Sequence, residues 1–283
     1  MNFKNKEEII WNRIEILAKD LIQKNHDLND IENQKFFNNP DDVMCHEFRW
    51  HQWGIITHTK MFLKYWNTEL NDYLNKLEIK DKVDDYLSKK IDGESKKDLL
   101  EFSIYFHDIG KFVVRKIMYE NDGEVSFSFK GHEQASYEVL KSKEMMDWLK
   151  LNFNLTDNQI EYISQCCRLH YELGKTRDLV KKLDIGYSFE YLKSEYIIEH
   201  NLGIMNANTD FQLEIGLLFL VDSLAKIEIH IEAEYQIDIE KQTEEVEKIV
   251  KDNNWHPHKV LLIKQLPITI KTAEVYLKMW AER

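Results

Sequence analysis

Residues 99–111 read Leu-Leu-Glu-Phe-Ser-Ile-Tyr-Phe-His-Asp-Ile-Gly-Lys. The first part of this run is mostly apolar and has little solvent-facing character, which is typical of a buried helix. The run closes on His107 and Asp108, and Gly110 then offers a helix stop that would hold both side chains at the C-terminal end. A neutral imidazole and a carboxylate together suit a first-row divalent ion, and the carboxylate can bridge two ions. The segment therefore predicts a buried helix over about residues 99–107 with metal-binding side chains at its end.

The composition of the whole chain favours helices. Its 283 residues include only nine Gly and three Pro, whereas average usage would give about 34 of the two together. Sandwiches, barrels and propellers need a Gly- or Pro-rich turn about every eight to twelve residues, so these fold classes are excluded. The prolines are Pro40, Pro257 and Pro267, so residues 41–256 contain none that would forbid a helix. The sequence predicts a mainly α protein.

Charge and apolar content limit the possible partners. The 38 basic and 50 acidic residues give a net charge of −12, which repels a polyanion and makes extended nucleic acid an unfavourable partner. A single nucleotide or the end of a nucleic-acid strand is still a possible ligand. The first residues do not form a signal peptide, and the longest clean apolar run, residues 215–221, is far too short to span a bilayer. Three cysteines, two of them adjacent, give no disulfide framework. We therefore expect a soluble, cytoplasmic protein without a membrane partner.

Apolar periodicity predicts the other elements. Thr156 and Gln159 fit a capping box at the start of a helix. Alternating apolar residues between Ile117 and Phe129 surround Asn121-Asp122-Gly123, which predicts one short β-hairpin. Residues 175–210 show no pattern that assigns them. Further helices are expected over about residues 8–23, 56–76, 157–171, 212–233 and 272–282.

Two more ionisable side chains fall on apolar helix faces. His170 lies three residues after Cys167 on the inward face of its helix, where a core histidine bonded to a backbone carbonyl is the alternative to a metal ligand. Asp222 lies three residues after Phe219 in the most apolar helix of the chain. Because burial of an unpaired carboxylate costs several kcal/mol, Asp222 needs a cation. Lys226, one turn later, is one candidate and a metal ion is the other.

Taken in order, these side chains resemble the metal ligands of the HD superfamily of metal-dependent phosphohydrolases, over about residues 54–226. That superfamily uses a His, then a His-Asp pair and later an Asp, and its two-metal members add two histidines before the last Asp. Residues 129–133, Phe-Lys-Gly-His-Glu after a short hairpin, look particularly like the HD domains attached to tRNA nucleotidyltransferases. The matching positions in this chain are His58, His107, Asp108, His132, His170 and Asp222.

The resemblance implies one HD-type helical domain over residues 1–283, with a metal-binding core at about residues 50–230 and helical extensions at both ends. It also implies two divalent ions, drawn from Mn, Fe, Ni, Co, Mg and Zn. Asp108 would bridge them. The first ion would also bind His58, His107 and Asp222, and the second would bind His132 and His170.

Three basic residues are candidates for binding a phosphate. Lys111, one helical turn after the His-Asp pair, would neutralise a phosphate oxygen and act in catalysis beside Asp108; an ordinary exposed lysine is the alternative. Arg115 and Lys130 are candidates on position alone. His46, which precedes the first proposed ligand, either lines the mouth of the site or packs in the interior, and we expect packing.

Three functions fit this ligand set. The first is hydrolysis of a phosphomonoester or phosphodiester of a nucleotide or nucleotide-derived small molecule by a metal-activated hydroxide. The second is oxygen chemistry, because mixed-valence diiron oxygenases that resemble inositol oxygenase use the same order of ligands and also have a lysine after the His-Asp pair. The third is a binding module that has kept the ligands without turnover.

Overall fold

The computed structural model describes residues 3–119, 123–182, 192–228 and 239–283. These residues form mainly α-helices, which confirms the predicted fold class. In chain order the helices are α1 (Phe3–Asn25), α2 (Ile31–Asn38), α3 (Ile55–Thr68), α4 (Leu70–Lys76), α5 (Lys80–Ser88), α6 (Lys96–Phe106), α7 (Lys111–Val114), α8 (His132–Lys141), α9 (Lys143–Phe153), α10 (Asp157–Leu169), α11 (Gly174–Lys182), α12 (Glu195–Ala207), α13 (Gln212–Leu224), α14 (Ile239–Asp252) and α15 (Lys259–Ala281). The strands are β1 (Lys90–Ile91), β2 (Glu94–Ser95), β3 (Lys116–Tyr119) and β4 (Val125–Ser128), and a short 3-10 helix covers Val43–Cys45.

The chain divides into two compact units. The first comprises Met1–Phe48, Trp53–Leu63 and Leu87–Leu169. The second comprises Arg49–Gln52, Lys64–Tyr86 and His170–Arg283. A single HD domain over residues 1–283 stays a prediction.

The core of the first unit forms where α10 packs against α6 and α8. Leu100, Phe106 and Ile163 are fully buried there. Ser95 caps α6, because its Oγ accepts a hydrogen bond from the Asp98 amide. The helix predicted at residues 99–107 is thus confirmed, with a start one turn earlier. Its burial places the His-Asp pair in the interior.

The predicted capping box of α10 is present. Thr156 Oγ1 accepts from the Gln159 amide at 3.2 Å, and Gln159 Oε1 accepts from the Thr156 amide at 2.9 Å. The Gln159 side chain also donates to the carbonyl oxygen of Ile91, at 2.9 Å. The helix ends at Leu169, so that His170 lies directly after its last residue rather than inside it.

Two antiparallel hairpins occur in the described residues, where the sequence predicted one. The predicted hairpin is confirmed as β3 and β4, although Asn121 and Asp122 of its turn lie outside the described residues. The second hairpin joins β1 and β2 through Asp92 and Gly93, whose φ values of 49° and 100° are both positive. Such a two-residue Asp-Gly turn suits the twist of a hairpin.

The core of the second unit contains the most apolar helix, α13, which is buried from Leu213 to Leu224. It packs against α15, and a Cβ atom added to Gly216 would lie 2.6 Å from the side chain of Leu277, so the glycine permits this close approach. Across the four described ranges, none of the helices has the length and apolar character that a bilayer crossing requires.

Several predicted helix boundaries are wrong. The helix predicted at residues 56–76 is interrupted at Glu69 and forms α3 and α4. The helix predicted at residues 212–233 ends at Leu224, and residues 229–238 lie outside the described part of the chain. The last helix starts at Lys259, earlier than predicted, and it contains Pro267. The proline removes one backbone hydrogen bond, but the buried packing of the helix remains. The unassigned stretch at residues 175–210 contains most of α11 and all of α12.

Candidate metal centre

Three of the predicted ligands converge in the interior of the first unit. His107 and Asp108 follow the last residue of α6, His58 lies on α3, and all three are buried. One ligand atom from each lies within 4.8 Å of the other two. The distance to Asp108 Oδ2 is 3.8 Å from His58 Nε2 and 3.3 Å from His107 Nε2. These residues can therefore hold a metal ion.

The N-terminus of α3 is fixed by Asp41. Its Oδ1 accepts from the Thr57 amide at 2.8 Å, and its Oδ2 accepts from Thr57 Oγ1 at 2.6 Å. A carboxylate at this end satisfies a helix amide and complements the helix dipole. A Cβ atom added to Gly54 would lie 1.8 Å from the backbone oxygen of Asp41, so this contact requires glycine. The first turn that carries His58 is thereby held in place.

His132 brings a third imidazole to the same carboxylate. It is the first residue of α8, and its Nε2 lies 3.2 Å from Asp108 Oδ1. The preceding Gly131 has a φ of 88°, a left-handed conformation that favours glycine. Asp108 is thus approached by histidines on both of its oxygens.

Gly110 lets α8 approach the His-Asp turn. A Cβ atom at this position would lie 2.1 Å from the backbone oxygen of His132. Its own φ of −66° is ordinary, so the expectation that it acts as a helix stop is wrong. Ser136 completes the contact, because its Oγ accepts from the Gly110 amide at 2.9 Å and donates to the His107 carbonyl oxygen at 2.7 Å. Ser136 was not predicted from the sequence, although it lies one turn after His132 on the same helix face.

The hydrogen bonds of two histidines orient their rings. His107 Nδ1 lies 2.7 Å from the Ile104 carbonyl oxygen, and His132 Nδ1 lies 2.9 Å from that of Phe129. A carbonyl oxygen only accepts, so each Nδ1 carries a proton, and each Nε2 faces Asp108. Lone pairs on imidazole and carboxylate repel unless a proton or a metal ion lies between them. Metal-binding histidines commonly donate from their other ring nitrogen to a carbonyl oxygen in this way, and the donor set fits a divalent ion.

Asp108 is held as a carboxylate. Burial by itself raises its pKa, but the opposing effects of Lys111 and of the neighbouring histidines leave the pKa well below its usual range. Lys111 Nζ lies 2.8 Å from Asp108 Oδ2, and the lysine is only 3% exposed. The alternative of an ordinary exposed lysine is therefore wrong. A buried cation sits beside the candidate metal ligands.

His46 also belongs to this cluster. It is completely buried, with Nδ1 at 2.9 Å from the Trp53 carbonyl oxygen and Nε2 at 3.0 Å from Lys111 Nζ. Burial and the charge of Lys111 lower the pKa of His46 well below its usual value, so the ring is neutral. The packing expected from the sequence is present, but the contact with Lys111 was missed. No periodic spacing connects the two positions.

Arg115 and Lys130 occupy different environments. The Arg115 guanidinium is buried, donates to the Cys45 carbonyl oxygen at 3.1 Å and to Asn33 Oδ1 at 3.0 Å, and lies 3.7 Å from the centre of the Phe127 ring. Burial lowers the pKa of Arg115 to about 10. These contacts favour a structural role. Lys130 is exposed in the turn before α8. Phosphate binding by either residue stays a prediction.

His170 and Asp222 belong to the second unit. Both are buried, and Asp222 Oδ2 lies 3.4 Å from Lys226 Nζ. Lys226 is the cation that the sequence placed one helical turn after Asp222. Lys226 Nζ also lies 5.1 Å from the centre of the Tyr171 ring. Metal ligation by His170 and Asp222 stays a prediction.

Comparison with known families identifies a matching family model. The model of the HD domain family matches residues 68–227, which is more than half of the 283-residue chain. The match includes the His-Asp pair, His132, His170 and Asp222, and it begins after His58. No curated protein matches the chain. The chain therefore belongs to the HD domain family.

Proposed function

We propose that this protein is a metal-dependent phosphohydrolase that cleaves a phosphomonoester or phosphodiester of a nucleotide or nucleotide-derived small molecule. The observation that carries the proposal is the buried convergence of His58, His107 and Asp108, with the ammonium of Lys111 on the same carboxylate. Membership of the HD domain family, whose superfamily consists mainly of metal-dependent hydrolases, supports it.

The proposed cofactor is a pair of divalent ions from the set Mn, Fe, Co, Ni, Mg and Zn. His58, His107 and Asp108 would hold the first, and Asp108 and His132 would contribute to the second. Such a pair supplies hydroxide near neutral pH and stabilises the charge that develops on phosphoryl oxygens. The order of motifs along the chain supports His170 and Asp222 as further ligands.

The chain's own residues provide orientation and charge. The carbonyl oxygens of Ile104 and Phe129 hold two imidazole rings with Nε2 directed towards Asp108. Lys111 is a buried cation whose position is fixed before a substrate binds. In a site poor in water, a preorganised ammonium stabilises negative charge on a phosphate oxygen more strongly than it would in solvent. Asp108 and Lys111 are the proposed catalytic residues.

The substrate is proposed to be small. A net charge of −12 disfavours a long polyanion but has much less effect on a ligand with one or two phosphates. The segment from Phe129 to Glu133, through its likeness to the HD domains of tRNA nucleotidyltransferases, favours 2′,3′-cyclic or terminal phosphates among nucleotide ligands.

The test uses the full chain, freed of metal by a chelator and reloaded separately with Mn²⁺, Co²⁺, Ni²⁺, Mg²⁺, Zn²⁺ or Fe²⁺. Phosphate release and oxygen uptake are measured with p-nitrophenyl phosphates, nucleoside monophosphates and 2′,3′-cyclic nucleotides. We expect hydrolysis with at least one ion, no oxygen uptake, and complete loss of turnover in Asp108→Ala. Asp147→Ala is the matched control, because Asp147 is an exposed carboxylate paired with Lys143.

The other outcomes distinguish the alternatives. Oxygen uptake by the iron-loaded protein, with a mixed-valence diiron EPR signal and no hydrolysis, would contradict the proposal and identify an oxygenase. Stabilisation by nucleotides without any product would also contradict it and identify a binding module.

A further inference from the structure

We infer that His46 is a positioning residue for Lys111: its Nε2 accepts a hydrogen bond from the Lys111 ammonium and holds that group against Asp108. The contribution of Lys111 to phosphate-ester cleavage rests on the proposed function. The hydrogen-bond arrangement itself stands on the contacts around His46, and it is tested separately below.

The two ring nitrogens of His46 have different partners. Nδ1 lies 2.9 Å from the backbone oxygen of Trp53, which can only accept, so Nδ1 carries a proton. Nε2 faces Lys111 Nζ at 3.0 Å. A lysine ammonium only donates, so the direction of this hydrogen bond is fixed.

His46 is held in a fixed position by its backbone and its neighbours. It directly follows the short 3-10 helix at Val43–Cys45, and Asp42 caps that helix by accepting from the Met44 amide at 2.9 Å. The ring packs edge-on against Phe129, with ring centres 5.5 Å apart. A ring that is held by its backbone, by a carbonyl oxygen and by an aromatic neighbour offers a fixed acceptor.

His46 Nε2 limits the mobility of the Lys111 ammonium. A lysine side chain has four rotatable bonds, and its ammonium is mobile unless several acceptors hold it. Here Asp108 Oδ2 at 2.8 Å and His46 Nε2 at 3.0 Å hold it from two separate segments. Lys111 Nζ also lies 5.7 Å from the centre of the Phe129 ring, the ring that packs on His46. Loss of His46 would leave the charge in place but remove one of the contacts that orient it.

A spectroscopic experiment tests the arrangement without any need for turnover. Histidines are labelled with ¹⁵N in the protein loaded with diamagnetic Zn²⁺ or Mg²⁺, and the His46 signals are assigned as those absent from His46→Gln. We expect a proton on Nδ1, none on Nε2, and a shift of the Nε2 resonance in Lys111→Met. A proton on Nε2, or an Nε2 resonance unchanged in Lys111→Met, would overturn the inference.

A kinetic experiment tests the functional consequence in a double-mutant cycle. His46→Phe keeps an aromatic ring but loses both hydrogen bonds, and we expect kcat to fall about tenfold or more with little change in KM. In the Lys111→Met background the same substitution should change kcat by less than about twofold, because residues that act through each other are not additive. Equal effects in both backgrounds would show that His46 acts independently of Lys111 and overturn the inference.

Two further variants guard against misfolding. His46→Gln keeps one acceptor and one donor and should retain more activity than His46→Phe. His26→Phe loses a similar ring-to-carbonyl contact, from Nε2 to the Phe112 oxygen at 2.9 Å, which involves the backbone of α7 rather than the Lys111 ammonium, and it should retain wild-type kcat. If His26→Phe loses as much activity as His46→Phe, the inference is overturned. If the unmodified protein hydrolyses no ester, the proposed function fails while the spectroscopic result still decides the role of His46.

Discussion

The backbone oxygen of His132 lies so close to Gly110 that a Cβ atom on the glycine would be 2.1 Å from it. This contact joins the start of α8 to the turn that carries Asp108, and it explains how His132 Nε2 comes within 3.2 Å of the carboxylate. Because the φ of Gly110 is ordinary, the glycine is required for space rather than for backbone conformation.

Gly110→Ala should therefore disturb the site. The added methyl group meets backbone atoms that cannot rotate away, so α8 must shift, and we expect a loss of about 1–3 kcal/mol in the free energy of unfolding. The free energy of unfolding measured in urea and the affinity for Mn²⁺ should both decrease. Gly203→Ala is the matched control: Gly203 lies exposed on α12 with open space around it, so this change should stabilise the protein by about 0.5–1 kcal/mol. A Gly110→Ala protein as stable as the wild type would contradict the packing described for α8.

Ser136→Ala should weaken the same contact in a different way. It removes the acceptor of the Gly110 amide and the donor to the His107 carbonyl oxygen, both buried, and we expect a loss of about 1–3 kcal/mol. Metal affinity should fall about tenfold or more, as for other residues that orient ligands. Ser164→Ala is the control, because the buried Ser164 hydroxyl donates to the Ile160 carbonyl oxygen, one turn earlier in the same helix. Isothermal titration with Mn²⁺ and urea unfolding give both values, and equal effects of the two substitutions would argue against a special role of Ser136.

The stability of the protein should depend on pH through Lys259. This lysine is buried at the start of α15, its Nζ donates to the His51 carbonyl oxygen, and burial lowers its pKa to about 8. Below pH 8 the side chain is charged in both the folded and the unfolded chain, and the folded state bears the desolvation cost. Between pH 8 and about 10.5 the unfolded chain binds more protons, so this group makes stability rise with pH, by up to about 1.4 kcal/mol per unit.

Lys259→Met isolates that contribution. We expect the variant to be more stable than the wild type at pH 7.5, with a difference that shrinks as the pH rises to 9.5. Lys278→Met, on the exposed face of the same helix, is the control for the loss of a lysine from α15. Urea unfolding at three pH values measures both, and a constant difference for Lys259→Met would show that the lysine keeps its ordinary pKa.

Metal removal should lower the stability of the protein. A ligand that binds only the folded state stabilises it by about 2.7 kcal/mol at a concentration one hundred times its Kd, which corresponds to a melting temperature higher by several degrees. We expect the chelated protein to melt at a lower temperature. Addition of Mn²⁺ should restore the melting temperature of the wild type and of the Asp147→Ala control, and it should not change that of Asp108→Ala. An equal response of Asp108→Ala would place the stabilising ion elsewhere.

The features that local sequence could predict are those that depend on neighbours along the chain. The burial of His107 and Asp108 follows from the apolar helix before them, and the capping box of Thr156 and Gln159 follows from a spacing of three. The hairpin at Asp92 and Gly93 was missed because its strands have only two residues each and no apolar alternation.

The other features that were missed depend on tertiary contacts. His46 and Lys111 are 65 positions apart, and nothing in either segment indicates that they meet. The environment of Arg115 depends on Cys45 and Asn33, which come from other parts of the chain. Pro267 lies inside a helix because packing outweighs one missing hydrogen bond, a balance that propensity alone does not show.

The most direct test of the account is an anomalous difference map from crystals of the Mn²⁺-loaded protein, collected above and below the manganese absorption edge. We predict a peak bounded by His58 Nε2, His107 Nε2 and the carboxylate of Asp108, which disappears in crystals of Asp108→Ala. Manganese bound only away from these three residues, or a peak between them that persists in Asp108→Ala, would contradict the assignment of this cluster as the metal centre.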